Sequence, residues 1–160
     1  MKKFLLVVAM AFIASVSFAQ SGKWAAGVNL GYGSDISKPS IGAKILYDIS
    51  DQFTIAPSFN YYFQKKEEGV KLNFWDLNCD LHWNVVSKDN FKLYPLAGVT
   101  YLHGKGSYED ISSSDSWFGA NIGIGAQLNL GGNWAAAAEV KYQIVDSSQL
   151  VPSLSLMYRF

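Results

Sequence analysis

The chain has 160 residues, of which 13 are basic and 13 acidic, so its formal net charge is zero at pH 7. This balance argues against nucleic acid as a partner, because binding to it requires a strongly basic surface. One cysteine is present, so no disulfide can form within the chain. No paired-cysteine metal motif and no glycine-rich nucleotide loop occurs, and we therefore expect neither a metal nor a cofactor.

The N-terminal residues have the composition of a secretory signal peptide. Lys2 and Lys3 precede an apolar run, and the run ends in small residues that a signal peptidase reads at Ala19. The run is shorter than the about 20 residues that a membrane-spanning helix needs. We therefore predict a signal peptide over residues 1–19 and a single domain over residues 20–160. Removal of the two lysines leaves 11 basic against 13 acidic residues.

The remaining sequence alternates apolar and polar residues with a period of two, which is the pattern of β-strands with two different faces. In the segment WDLNCDLHWNV, for example, Leu77 and Leu81 fall on one face, and Asp76 and Asp80 on the other. Eight such segments predict eight strands. In chain order they span residues 23–33, 40–49, 53–63, 75–85, 91–102, 117–130, 134–145 and 150–160.

The connections between these segments are of two kinds, which alternate along the chain. Three are tight turns, over residues 50–52, 87–90 and 131–133. The other four are mostly longer and polar, and they span residues 34–39, 64–69, 103–116 and 146–149. Tight turns at one rim and longer loops at the other are typical of an up-and-down outer-membrane barrel.

Alternation alone leaves two barrels possible, because a soluble ligand-binding barrel also alternates but keeps its apolar face inside. Here the polar face is rich in Gly, Asn and Ser, which suits a crowded interior better than a solvated surface. Aromatic residues also bracket the apolar face, as interfacial girdles do around a band about 25 Å tall. Near the tight turns they are Trp24, Phe53, Trp83, Phe91, Trp134, Tyr158 and Phe160. Near the longer loops they are Tyr32, Tyr47, Phe63, Trp75, Tyr101, Phe118 and Tyr142.

The closing segment SLSLMYRF places Leu154, Leu156, Tyr158 and Phe160 on one face. It resembles the C-terminal strand that the outer-membrane barrel assembly machinery reads. Residues 22–160 as a whole resemble the small OmpA-like and OmpX-like barrels of the porin family. The resemblance implies an all-β, eight-stranded antiparallel up-and-down transmembrane barrel, a monomer in contact with the lipid of the bacterial outer membrane. Its last strand should pair with its first, because lipid cannot satisfy an open sheet edge.

Two features depart from a regular strand pattern. Pro57 and Pro95 lie inside strands, where each removes a ladder donor, so we expect a bulge or a local irregularity at each. Residues 70–74 are out of phase with the segment that begins at Trp75. This predicts either a bulge near that point or a strand that projects beyond the membrane.

An eight-stranded barrel encloses an interior that side chains just fill. Six ionisable residues point inward on this interpretation: Lys44, Asp76, Asp80, His82, Glu139 and Lys141. Because unpaired buried charges are costly, we expect Lys44 and Lys141 to pair with Asp80 and Glu139. Such a network favours a structural plug, and the resemblance to OmpA-like barrels leaves a gate as the alternative.

The two histidines raise the question of catalysis, since some small outer-membrane barrels are lipid A-modifying enzymes that use Ser and His. The candidates lie close together in the longest connection: His103, Ser107, Glu109 and Asp110. Their spacing matches no lipid-modifying pattern, so we predict a solvated rim residue at His103 and no enzyme. We expect His82 to join the lumen network rather than bind a metal, and Cys79 to lie on the lipid face.

The sequence therefore predicts an integral outer-membrane barrel with a structural or surface-interaction role and a lumen filled by side chains. Three alternatives stay open, namely a narrow passive channel, a lipid A-modifying enzyme and a soluble periplasmic ligand-binding barrel. The polar stretch over residues 104–116 could contact another cell, a host surface or a phage, and nothing in its composition favours one ligand.

Overall fold

The computed structural model describes residues 23–63, 66–67, 70–108, 111–146 and 148–160, so the predicted signal peptide lies outside the described residues. Among the described residues, no helix is long and apolar enough to cross a membrane. Ten strands are found there. They are β1 (Trp24–Gly33), β2 (Lys38–Asp48), β3 (Phe53–Tyr62), β4 (Lys66–Glu67), β5 (Val70–Trp83), β6 (Val86–Ser87), β7 (Phe91–Tyr108), β8 (Ile111–Gly131), β9 (Trp134–Ile144) and β10 (Gln149–Arg159).

Eight of these strands form a closed antiparallel barrel, which confirms the predicted fold. Their order around the barrel is β1, β2, β3, β5, β7, β8, β9 and β10. The last strand returns to the first, with Arg159 opposite Ala25. The amide of Phe160 also donates to the carbonyl oxygen of Trp24 at 2.9 Å. The two short strands extend the neighbouring ladders, β4 on β5 and β6 on β7.

The apolar residues of the barrel strands face outward and the polar residues face the lumen. Leu77, Ile122 and Val140 expose 49%, 57% and 44% of their surface. Asp80 and Glu139 expose 0% and 3%. This confirms the orientation of a membrane barrel. It is the reverse of a soluble ligand-binding barrel, in which apolar residues line the lumen.

The inner face is crowded. A small apolar layer lies near the tight-turn rim, formed by Ala25, Leu46, Ala56, Ala137 and Met157. Further along the lumen, a Cβ atom on Gly98 would lie 2.3 Å from the carbonyl oxygen of Cys79 and 2.4 Å from Oδ1 of Asp80. A larger side chain at Gly98 would therefore displace backbone, which explains why a small residue stands at this position.

The segment over residues 103–116, predicted to be the longest loop, is instead largely a β-hairpin. β7 and β8 stay paired from Phe91 opposite Leu128 out to Tyr108 opposite Ile111. These strands have 18 and 21 residues, whereas a tilted membrane-spanning strand needs about 9–11. The prediction of a loop was wrong because backbone hydrogen bonds continue the hairpin through Gly and Ser residues that show no apolar alternation.

β5 also continues past the membrane-spanning length. It keeps a single register with β3 and β7, and Phe74 lies opposite Tyr62 on the inner face. Of the two outcomes expected for residues 70–74, the structure therefore has the projecting strand and not the bulge. We call the projecting parts of β5, β7 and β8 the extension, which comprises residues 70–74, 103–108 and 111–116.

Both prolines disturb their strands locally, as predicted. Opposite Pro57, the β2–β3 ladder lacks the pairs between Lys44 and Tyr47 without a change of register. Beside Pro95, the partner of β7 changes from β5 to β6. A further irregularity, which the sequence does not predict, lies in the β8–β9 pair next to Gly131. The φ angle of Gly131 is 104°, a region that favours glycine, and it lies at a tight turn.

One aromatic residue lies at the opposite rim from the one predicted. Tyr47 is opposite Trp24 in the β1–β2 pair, with the ring centroids 4.5 Å apart. Because β2 runs from the longer connections toward the tight turns, its C-terminal residues lie at the tight-turn rim. The prediction that Tyr47 lies near the longer connections was wrong.

Candidate functional site

The six ionisable residues predicted for the lumen all lie on the inner face of the barrel. Each exposes 3% of its surface or less: Lys44, Asp76, Asp80, His82, Glu139 and Lys141. They come from β2, β5 and β9, and no two of these strands are neighbours. Contacts between the three strands therefore have to cross the lumen.

The first cross-lumen cluster is centred on Glu139 of β9. Nζ of Lys44 in β2 donates to Oε2 of Glu139, and both side chains are 1% exposed. The hydroxyl of Tyr94 in β7 donates to Oε1 of Glu139 at 2.7 Å. The ring of His82 stacks on that of Tyr94, with centroids 4.3 Å apart, and its Nε2 lies 3.8 Å from Oε1 of Glu139. This cluster ties β2, β5, β7 and β9 together.

The second cluster lies one step further toward the longer connections. Nζ of Lys141 in β9 donates to Oδ2 of Asp80 in β5 at 3.0 Å. Nδ2 of Asn121 in β8 donates to Oδ1 of Asp80 at 2.7 Å and to Oδ1 of Asn78 at 3.0 Å. Both carboxylate oxygens of Asp80 thus have donors, which is the condition for a buried ion pair to be tolerated.

The third cluster surrounds Asp76, whose carboxylate accepts from neutral groups. Oδ2 accepts from the hydroxyl of Tyr62 at 2.7 Å and from Nε2 of Gln143 at 3.2 Å. Oδ1 accepts from Nδ2 of Asn60 at 2.8 Å and of Asn78 at 2.6 Å. An ionised carboxylate offers about four acceptor sites, and these four donors match that number.

Charged side chains also meet across the tight-turn mouth of the lumen. Nη1 of Arg159 in β10 lies 2.6 Å from Oδ2 of Asp48 in β2, and Nζ of Lys92 in β7 lies 3.7 Å from the same oxygen. Oγ1 of Thr54 donates to Oδ1 of Asp48 at 2.6 Å. Asp48 therefore links side chains from three other strands across this mouth.

Aromatic rings occupy the inner face at the other mouth, at the base of the extension. A Cβ atom on Gly104 would lie 2.6 Å from the ring of Phe74 and 3.2 Å from that of Trp117. Nζ of Lys38 lies 5.3 Å from the centroid of the Phe74 ring. Leu102 is buried on the same face. Rings and an aliphatic side chain thus fill the space above the Asp76 cluster.

Of the four residues weighed for catalysis, only His103 can be placed with its side chain. His103 faces outward, and its Nδ1 lies 2.8 Å from Oγ of Ser116, which was not a candidate. Ser107 belongs to the paired part of β7, and Glu109 and Asp110 lie outside the described residues. No group of three His, Cys, Asp or Glu residues suited to a metal ion occurs among the residues that the structure describes.

The predicted interfacial aromatics are exposed or half-buried on the outward face. They are Trp24, Tyr32, Phe53, Phe63, Trp75, Trp83, Phe91, Tyr101, Trp134 and Tyr142. In the last strand, Leu154, Leu156 and Tyr158 also face outward. The ring of Tyr158 packs against that of Trp134 at 5.2 Å and that of Phe160 at 5.5 Å between centroids. Cys79 is exposed on this face as well.

Comparison with known structures finds the same fold in several outer-membrane proteins. The attachment invasion locus protein Ail of Yersinia pestis, solved with the heparin analogue sucrose octasulfate, is 20% identical. The match covers 86% of this chain and 96% of Ail, with a TM-score of 0.66. The N-terminal β-barrel domain of Pseudomonas aeruginosa OprF is 19% identical over 88% of this chain and 100% of that chain, with a TM-score of 0.67.

Neisserial surface protein A is also similar, at 13% identity over 86% of this chain and 96% of that chain, with a TM-score of 0.68. No curated protein sequence matches the chain. The family model described as "Outer membrane protein beta-barrel domain" matches residues 4–160. The chain therefore belongs to the outer membrane protein beta-barrel domain family and is a β-barrel protein of the bacterial outer membrane.

Proposed function

We propose that this protein is a structural and surface-interacting barrel whose lumen is closed by its own side chains. The observation that carries the proposal is the presence of two ion pairs across the lumen, Lys44 with Glu139 and Lys141 with Asp80. All four side chains are 4% exposed or less. Moving a solute past them would separate buried charges, and breaking a buried pair costs several kcal/mol.

Contacts at the two mouths support the same conclusion. At the tight-turn mouth, Asp48 meets Arg159 and Lys92 from two other strands. At the other mouth, the rings of Phe74 and Trp117 lie so close to Gly104 that a methyl group there would clash. Hydrogen bonds and ion pairs are electrostatically stronger in a low-dielectric interior than in water, so these contacts hold their side chains in place. A plug therefore fits these contacts better than an open pore does.

The extension supports the surface-interaction part of the proposal. β7 and β8 are 18 and 21 residues long and stay paired to their tips, well past the length that spans a membrane. With the tight turns in the periplasm, as in barrels of this architecture, the extension stands on the cell surface. A paired sheet presents a defined surface to other molecules at a lower entropic cost than an unstructured loop of the same length.

A conductance measurement tests the plug. Purified protein, shown to insert by flotation with liposomes, should give no stable discrete conductance in a planar phosphatidylcholine bilayer. The control variant Lys88→Ala changes an exposed residue at a tight turn. It should also give no stable conductance, since it leaves the lumen intact. Stable conductance of the wild-type protein would contradict the plug. It would favour a narrow passive channel, which the polar lining of the lumen also allows.

We further propose that the protein is not an enzyme and that its last strand is read by the barrel assembly machinery. The first point is supported by the surroundings of His103. Its Nδ1 lies 2.8 Å from Oγ of Ser116 and its ring lies 5.1 Å from that of Trp75, and among the described residues no carboxylate is in contact with the imidazole to orient it as a base. Mass spectrometry of lipid A from cells with and without the protein should give identical acyl patterns, and a gained or lost acyl chain would contradict it. The second point predicts that Phe160→Ala lowers the fraction of protein that reaches the outer membrane in heat-shiftable form.

A further inference from the structure

The outward face of β5, β7 and β8 carries a second group of polar and aromatic residues, at the rim where the extension begins. We call this group the rim cluster; its members are Trp75, Tyr101, His103, Lys105 and Ser116. Each alternates along its strand with residues of the inner face, such as Phe74, Leu102 and Trp117, so all five members face away from the lumen. None of them takes part in the lumen clusters described above.

Strand register arranges the outward residues of this face in three successive rows. From the hydrocarbon toward water, they are Leu77–Tyr101–Phe118, Trp75–His103–Ser116 and Asn73–Lys105–Ser114. Successive rows lie about 7 Å apart, the rise of two strand residues. The first row is mainly apolar, with Phe118 exposed by 72%. The second combines rings with polar atoms, and the third is polar and cationic.

The middle row is held together by direct contacts. The ring centroid of Trp75 lies 5.1 Å from that of His103 and 5.7 Å from that of Tyr101. Oγ of Ser116 lies 2.8 Å from Nδ1 of His103 and accepts from the hydroxyl of Tyr101 at 3.0 Å. Because Nδ1 is the ring nitrogen near Ser116, Nε2 on the other edge of the ring stays available for a further partner.

The charge of this surface is one-sided. Lys105 is exposed on the outward face. Of the carboxylates of the same strands, Asp76 and Asp80 are buried in the lumen, and Asp115, which is exposed, alternates with the outward residues Ser114 and Ser116. Elsewhere at this rim, the turns between the other strands carry the exposed acids Asp35 and Asp146. An anion at this rim is therefore attracted to the rim cluster and repelled from the turns.

We propose that the rim cluster binds the phosphate-bearing head group of an outer-leaflet lipid, with its acyl chains against Leu77 and Phe118. Trp75 and Tyr101 lie at the boundary between chain and head group, where amphipathic rings are stable. Lys105 supplies a charge-assisted hydrogen bond to a phosphate oxygen, and His103 supplies a second donor through Nε2. The proposal rests on the outer-membrane location and is independent of whether the lumen is plugged.

The test follows the indole N–H resonance of Trp75, assigned with Trp75→Phe, in nanodiscs of phosphatidylcholine that contain rising fractions of lipid A. The chemical shift of the wild-type resonance should change as the fraction of lipid A rises and then reach a plateau. In Lys105→Gln the fraction of lipid A at half-plateau should rise about fivefold, the factor that corresponds to about 1 kcal/mol for one basic residue at a membrane surface. His103→Gln should also raise it. The matched control Lys88→Gln, at the opposite rim, should leave it unchanged.

Two further arms identify the source of the phosphate. Lipid A stripped of its phosphates should produce no plateau, and inorganic phosphate in phosphatidylcholine nanodiscs should not move the resonance. The proposal would be overturned if the wild-type resonance did not move as lipid A is added. It would also be overturned if the phosphorylated and the stripped lipids moved the resonance equally. Two further results would overturn it: the same lipid A fraction at half-plateau for Lys105→Gln and Lys88→Gln, or a plateau with inorganic phosphate alone. Each variant is checked for the heat-dependent gel shift of a folded barrel before the titration.

Discussion

Nζ of Lys141 in β9 lies 3.0 Å from Oδ2 of Asp80 in β5, although β7 and β8 separate these two strands around the barrel. The contact therefore spans the lumen and does not follow the ladder. It shows how a narrow barrel can contain charged residues at the depth of the hydrocarbon. The two charges of this pair are removed from water and from lipid, and each meets a partner of opposite sign.

Replacing one member of this pair should be much worse than replacing both. Lys141→Met leaves the carboxylate of Asp80 buried without its cation, and the free energy of unfolding should fall by about 3–5 kcal/mol. The double variant Asp80→Leu/Lys141→Met removes both charges and should recover most of that loss. Urea unfolding of the protein in lipid vesicles, followed by the heat-dependent gel shift, gives both values. A double variant as unstable as the single one would contradict the cross-lumen pair.

The Asp76 cluster should depend on its neutral donors. Tyr62→Phe removes the hydroxyl that donates to Oδ2 at 2.7 Å, so the free energy of unfolding should drop by about 1–3 kcal/mol. Tyr142→Phe makes the same chemical change on the outward face and should change the free energy of unfolding by less than about 0.5 kcal/mol. Unfolding of both variants in the same vesicles is the measurement. Equal effects at the two positions would show that Asp76 does not need this donor.

The tip of the extension should be dispensable for the barrel. Gly106 is opposite Ser113, so replacing residues 107–112 with Asn-Gly closes the hairpin with a two-residue turn. The gel shift should persist, and the free energy of unfolding should change by less than about 0.5 kcal/mol, because the lumen clusters are untouched. Deleting the six residues 119–124, inside the membrane-spanning part of β8, should abolish the shift. Loss of the folded barrel in the Asn-Gly variant would refute the separation of extension and barrel.

The last strand should govern assembly more than stability. We expect Phe160→Ala to lower the fraction of protein that reaches the outer membrane in heat-shiftable form, because the alternating residues that end in Phe160 are proposed as the assembly signal. Phe118→Ala removes an aromatic that is 72% exposed elsewhere on the outward face and should leave that fraction unchanged. Quantitative gels of fractionated membranes measure both. If the two variants assemble equally well, Phe160 has no special role in recognition.

Much of the fold could be predicted because one physical constraint acts on every barrel strand. A strand with lipid on one side and a narrow polar lumen on the other must alternate, as Leu77 and Asp80 illustrate. The inward position of the six ionisable residues follows from the same alternation. Tyr47 was assigned to the wrong rim because the direction of β2, and not its alternation, decides at which rim a residue lies.

The rest depends on register and on backbone bonding, which alternation does not encode. The hairpin from Gly104 to Ser116 is paired through its main chain, and its Gly and Ser residues give no apolar signal. The donors around Asp76 each lie on a polar face, but only the observed register brings Tyr62 and Gln143 to the same carboxylate. The contact between His103 and Ser116 arises in the same way, since the two residues are opposite each other in β7 and β8.

The outward orientation of the apolar face is the central claim, and Cys79 tests it most directly. This residue is the only cysteine of the chain, lies on the outward face of β5, and is exposed. A nitroxide attached to it in the reconstituted protein should collide with oxygen, which concentrates in hydrocarbon, and should be shielded from a water-soluble nickel chelate. A label that collides more often with the nickel chelate than with oxygen would contradict the orientation and the account built on it.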